Sequence, residues 1–235
     1  LFRSKENKVA IIQNVGYPNK SRSHFKSMDI WQTASPEGTL RYGWIGRAMD
    51  ERIEEKTYTP VSTIGLTTER PLALTAKNAA IPTFARLGDI ENLVGDADSE
   101  KLLRDIQGSD ATRGSTMRLI QDANRAALDA MSELNTKLKG VKTSQTYGDN
   151  NFGRGFQQIA QLILASPRTR VIYLSVGGFD THAQQLEQHA NLLTNFSDGL
   201  HAFQREMEAS GKASKVTVLV FSEFGRRVEK NGSEG

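Results

Sequence analysis

Asp180 and His182 stand one residue apart, directly behind a strand-like run that breaks at Gly177 and Gly178. An oxygen donor and a nitrogen donor at that spacing suit Zn²⁺, Mn²⁺ or a similar ion, or an acid/base pair. The competing role for Asp180 is to cap the helix that follows, with His182 in its exposed first turn. Ser222-Glu-Phe-Gly-Arg226 follows a second strand-like run in the same way. Glu223 could there ligate a metal, orient a ligand or act as a base, and Arg226 could hold an anionic group. A solvated loop with a local Glu–Arg pair is the alternative, and such a pair contributes almost nothing to stability.

A third locus is Asn19-Lys-Ser-Arg-Ser-His-Phe25. It opens a helix, whose first N–H groups make an anion site. A serine at such a place, Ser21 or Ser23, can be a nucleophile for phosphoryl or sulfuryl transfer if a metal or base lowers its pKa. Either could instead be an N-cap. Candidate catalytic groups are therefore Ser23, His24 beside it, and Arg226; candidate metal ligands are Asp180, His182 and Glu223. His189 and His201 read as structural, the latter facing solvent or a packed edge, and Trp31 and Trp44 as packing anchors.

The elements that carry these residues are legible as periodicities. Residues 171–176 form a short apolar run suited to a strand buried on both faces. A helix over 183–209 carries the stripe Leu186, Ala190, Leu193, Phe196, Leu200, Phe203 and Met207, and a strand over 216–221 follows. In such a β-α-β unit the crossover is right-handed in nearly all cases. Both strand ends then reach one edge of the sheet, the edge where ligands bind in open α/β sheets.

Earlier in the chain, residues 9–16 predict a strand ended by Gly16 and Pro18, and 24–33 a helix. Short strands are expected at 61–66 and 71–75. Apolar and small residues from Met117 to Leu138 recur at helical spacing and end at Gly140; a second helix over 152–165 stops before Pro167. Residues from about 86 to 150 are expected to form a helical insertion in a single domain.

Composition excludes several classes. The chain has 235 residues, 37% hydrophobic and 24% charged, with no cysteine. Disulfides, thiolate metal sites and cysteine nucleophiles are therefore out of reach. A net charge of +3 on 30 basic and 27 acidic residues is too balanced for a nucleic-acid partner. No apolar run approaches the ~18 residues of a membrane span, and nothing in the sequence specifies an oligomeric state.

Five segments together carry a resemblance: Ile11-Ile-Gln-Asn-Val-Gly-Tyr-Pro-Asn19, Ser21-Arg-Ser-His-Phe25, Gly43-Trp-Ile-Gly-Arg47, Gly177-Gly-Phe-Asp-Thr-His182 and Phe221-Ser-Glu-Phe-Gly-Arg-Arg227. In them the chain resembles domain-of-unknown-function family 1501, which looks like a branch of the alkaline phosphatase and sulfatase superfamily. The resemblance implies an α/β fold: a doubly wound, mostly parallel sheet flanked by helices. It implies two divalent metal ions (Zn, Mn, Ca or Mg) near a nucleophile, with Ser23 or Ser21 roughly in the nucleophile's place. The reaction implied is hydrolysis of a small anionic phosphate or sulfate ester; a non-catalytic binding or surface-assembly protein that retains the fold is the alternative.

Asp180 and His182 look like the superfamily's Asp-and-His ligand pair, with one intervening residue where three are usual. Glu223 would replace an aspartate ligand, while Phe224 stands where relatives have a histidine. Members of the family often carry a twin-arginine signal, which implies export to the periplasm. They usually begin with an Asp-Gly-Gly-type motif and continue into Thr-Asp-His-Gly; neither occurs here. The expectation is a piece of a longer protein, with the metal site incomplete within it.

Overall fold

The strand over Thr63–Leu66 (β1) is the centre of the sheet, and all of its residues are buried. It pairs in parallel with Thr83–Phe84 (β2) on one side and Val171–Leu174 (β3) on the other, in the order β2-β1-β3. In this computed structural model, residues 8–90, 98, 101, 105 and 116–225 are described. β1 matches a strand because Thr63 and Ile64 are β-branched and pack on both faces. Gly65 serves the close packing of the sheet: a Cβ there would meet Leu74 Cδ1 at 2.7 Å.

The helices are His24–Thr33 (α1), Trp44–Glu54 (α2), Thr116–Leu138 (α3), Asn151–Ala165 (α4) and Gln185–Ala209 (α5). Met131 and Leu134 of α3 share a core cluster with Ile64, Leu66 and Leu162. The α3 part of the expected insertion therefore packs on the sheet; most of residues 91–115 lies outside the described residues. Phe152, Phe156 and Ala160 of α4 pack on Phe203 and Met207 of α5. That contact is close because position 199 is glycine: a Cβ there would sit 2.9 Å from Phe156 Cδ2. Among the described residues, no helix is long and apolar enough to cross a membrane.

Gly43-Trp-Ile-Gly-Arg47 has a packing role. A Cβ at Gly43 would lie 2.1 Å from Leu72 O, and one at Gly46 would lie 2.1 Å from Thr75 O. The first turn of α2 thus rests directly on backbone. Arg47 then donates to Tyr42 O at 2.6 Å and to Thr33 O at 2.9 Å, the second bond tying α2 to the last residue of α1.

Three of the expected strands differ. Residues 71–75 contain a 3₁₀ turn, Leu72–Leu74. Pro71 presets φ for such a turn and its carbonyl accepts from Leu74 N at 3.0 Å. Residues 9–16 and 216–221 join no ladder among the described residues. Ile11 is 81% exposed and Leu219 69%. Apolar runs of this length satisfy the side-chain requirement of a strand, but a ladder also needs a neighbouring backbone edge, which periodicity does not report. The completed β-α-β unit is therefore absent among the described residues, although Glu223 still reaches the sheet edge that carries Asp180.

Candidate active site at the carboxyl edge of the sheet

Parallel pairing of Leu66 with Leu174 brings the carboxyl ends of β1 and β3 side by side. Beyond β3, Gly178 takes φ +103°, a conformation that L side chains rarely adopt, and it turns the chain toward α5. Phe179 then packs in the α4–α5 core, and Thr181 is buried. Asp180 and His182 alternate outward around Thr181, so both side chains reach the same exposed rim. The pair is joined directly, His182 Nε2 lying 3.0 Å from Asp180 Oδ2. The helix-cap role for Asp180 is not the one observed: α5 begins at Gln185, after Gln184 in the left-handed region.

Glu223 and His24 complete the cluster from both ends of the chain. His24 Nδ1 is 2.8 Å from Glu223 Oε1, and its Nε2 is 3.5 Å from Asp180 Oδ1. One imidazole is thus flanked by two carboxylates, and Asp180 continues the chain of contacts to His182. The hydrogen bond to Glu223 raises the His24 pKa above its ordinary value, with a further contribution from Asp180; desolvation opposes it. Glu223 is the least exposed member, its side chain only 13% accessible.

Aromatic residues hold the two terminal segments together around this chain. The Phe224 ring meets the His24 ring edge-on, 4.9 Å away at 90°. Trp31 of α1 stacks on Phe221 with centroids 6.1 Å apart. Phe224, which cannot replace a histidine ligand, therefore packs the very imidazole that bridges the carboxylates. Trp31 is a packing residue, as its type suggested.

The serine loop lies at the same end of α1. Ser23 is the N-cap, its Oγ accepting from Lys26 N at 3.4 Å. Ser21 Oγ accepts from Ser23 N at 3.1 Å, and Ser21 N donates to Tyr17 Oη at 3.0 Å. Tyr17 Oη and Ser27 Oγ are 2.8 Å apart. The bond to Ser27, with that to the Ser21 backbone, lowers the Tyr17 pKa. Arg226 lies outside the described residues.

Sequence reasoning did not assign Tyr17 or Tyr173. Tyr173 on β3 is raised in pKa by burial, with the negative charge of Glu223 adding to it and a hydrogen bond to Gln32 opposing it. A tyrosine in an apolar strand carries no spacing signal. Tyr17 stands in a Gly-Tyr-Pro turn, where an aromatic with a polar tip could have been suspected of organising the loop.

Two carboxylates and two imidazoles are chemically suited to a divalent ion. Their side chains are turned onto one another here. Among the described residues, no group of three or more His, Asp or Glu is arranged to hold a metal ion.

Residues 9–235 match the family described as Protein of unknown function (DUF1501). The chain belongs to that family. No curated protein and no solved structure matches it. The matched residues include all four members of the His24 cluster.

Proposed function

We propose that this DUF1501 domain belongs to an exported hydrolase of phosphate or sulfate esters of the alkaline-phosphatase and sulfatase kind. The observation that carries the reading is the chain Glu223–His24–Asp180–His182, gathered from three segments at the carboxyl edge of a parallel sheet. A carboxylate that orients an imidazole, which in turn serves a nucleophile, is the general arrangement of assisted nucleophilic catalysis.

In this reading Asp180 orients the His182 ring through the contact to Nε2, and His182 takes up a proton from the attacking hydroxyl. Ser23 supplies that hydroxyl from the N-cap of α1. Its Oγ bonds to the phosphorus or sulfur, the ester bond to the leaving oxygen breaks, and the proton passes to that oxygen. Water then releases the anion. His24 lies between Asp180 and Glu223 and holds both carboxylates in place through its two ring nitrogens. Arg226, with Arg22, would steady the anion.

Metal analysis of the chain, paired with a screen of aryl phosphates and aryl sulfates, tests the proposal. The expected result is turnover of one ester class that falls at least a hundredfold in both Asp180→Asn and Ser23→Ala, in line with loss of an acid/base or nucleophilic group. Turnover that survives both substitutions would sink it.

The second reading is a binding or surface-assembly protein that retains the fold without the chemistry. The exposed apolar side chains at Ile11, Ile12, Leu219 and Val220 favour it, since apolar surface of this kind marks interaction sites when it is contiguous. Absence of turnover in the same screen, together with metal-free protein, would select it.

A further inference from the structure

The loops leaving β1 and β3 flank a second feature of the same sheet edge. Residues 67–71 follow β1, while Ser175 and Gly177 follow β3, and the pairing of Leu66 with Leu174 starts the loops side by side. Between them lies an open cleft of about 350 Å³ lined by Thr67, Thr68, Glu69, Arg70, Ser175 and Gly177, with Pro71 at its edge; all but Thr67 and Pro71 are exposed. That volume falls in the range of small-molecule sites.

The walls are organised. Thr67 Oγ1 donates to Glu69 O at 2.7 Å, which folds the loop back on itself. Arg70 Nη2 donates to Ile81 O at 2.9 Å, so one arm of the guanidinium is anchored. The lining holds one carboxylate and one guanidinium, and their charges cancel. An anion would meet Glu69, a cation would meet Arg70, and a planar aromatic ligand would find no aromatic wall. Hydroxyls of Thr68 and Ser175 both donate and accept, Glu69 accepts, and Arg70 donates. This mixed set complements a neutral group whose own hydroxyls both donate and accept.

We propose that this cleft binds a hydroxyl-rich neutral group, a polyol or a pyranose ring, with Arg70 and Glu69 as its polar anchors. The inference concerns binding alone and does not depend on hydrolysis at the His24 cluster.

Amide chemical shifts of the full chain, titrated with glucose, mannose and myo-inositol and separately with inorganic sulfate and phosphate, test it. Expected are saturable shifts at the amides of residues 67–70 and 175–177 with at least one neutral probe. Arg70→Gln should weaken that binding about tenfold, the scale of one lost charge-assisted hydrogen bond. Ser175→Leu, which fills the cleft and leaves the Arg70–Ile81 bond untouched, should abolish it even where Arg70→Gln harms folding. The proposal is overturned if none of the neutral probes gives saturable shifts there. It is equally overturned if only the anions bind, or if Ser175→Leu binds like the parent.

Discussion

His24 Nδ1 lies 2.8 Å from Glu223 Oε1 although 199 positions separate the two residues in sequence. The contact ties the start of α1 to the segment that follows α5, and through Nε2 the same ring faces Asp180. Charge on His24 therefore controls whether three chain segments attract one another at the sheet edge. The raised pKa of His24 gives the sign. A group that holds its proton more tightly when folded contributes stability fully below its unfolded value, about 6.5, and loses that contribution as pH rises through the higher folded value. NMR titration of the His24 ring should give a midpoint above 6.5. A midpoint at or below the ordinary histidine value would mean that the Glu223 contact is not maintained in solution.

Gly43→Ala and Gly46→Ala should each destabilise the fold. Their new methyl groups would meet the backbone oxygens of Leu72 and Thr75 at 2.1 Å, and backbone cannot rotate aside as a flexible side chain can. Overpacking of this kind costs about 1–3 kcal/mol, occasionally more. Gly16→Ala is the matched control, since nothing lies within 4 Å of a Cβ there. Urea unfolding should separate the two helix substitutions from the control. Equal midpoints would show that α2 does not rest on residues 72–75.

Glu206 is a buried carboxylate with no catalytic partner, and its replacement should affect stability through its loop alone. It accepts from Ser144 N at 2.8 Å, Gln145 N at 2.9 Å and Ser144 Oγ at 3.1 Å, closing the turn before α4 onto α5. Glu206→Ala removes both accepting oxygens and leaves the backbone N–H groups of Ser144 and Gln145 without this partner. A loss on the order of 3 kcal/mol is expected. Denaturant unfolding checks it, and a change below about 0.5 kcal/mol, the scale of a neutral surface substitution, would refute the role.

Tyr58 gives a second pH signature at the alkaline end. Burial, with the negative charge of Asp50 adding to it, pushes its phenol up to about 12. Its hydroxyl donates to the Ala80 carbonyl. The folded state then holds a proton that the unfolded chain releases near pH 10, so stability should fall as pH rises from about 10 toward 12. Burial raises Tyr147 as well, so ultraviolet titration of phenolate should show at least two fewer tyrosines ionising below pH 11 in the folded parent than in the unfolded chain, and Tyr58→Phe should reduce that difference by one. Identical titration of the two would contradict the burial of this hydroxyl.

What the sequence disclosed about these features depended on range. α1, α4 and β3 were readable because their determinants are local: an N-cap at Ser23, the stripe Phe152–Phe156–Ile159, the β-branched run at Val171. Candidate ligands Asp180 and His182 were readable for the same reason, as a pair of donors behind a glycine break. The ladder state of residues 9–16 and 216–221 was not, because pairing is a property of neighbours and not of the segment. Nor was the central position of His24. Its partners lie at positions 180 and 223, and no periodicity links a helix start to two distant loops. Gly-Trp-Ile-Gly-Arg was visible as a motif but not as packing, since the backbone it rests on is recognisable only once residues 72–75 are in place.

The two carboxylates around His24 should not contribute equally. The Glu223 hydrogen bond is the largest influence raising the imidazole pKa, ahead of the Asp180 charge. Geometry agrees with that order: the Glu223 contact is 2.8 Å to a side chain that is 13% exposed, whereas Asp180 is 3.5 Å away and 49% exposed. Solvent screens the longer, wetter contact more strongly. Glu223→Gln should therefore lower the His24 midpoint further than Asp180→Asn does. The double variant should bring the ring back toward or below its ordinary value, because desolvation then acts without opposition. Both carboxylates touch one ring, so their effects need not add, and the cycle of four proteins measures the coupling. A larger drop in Asp180→Asn than in Glu223→Gln would reverse the assignment and make Asp180, the partner of His182, the principal counter-ion of the cluster.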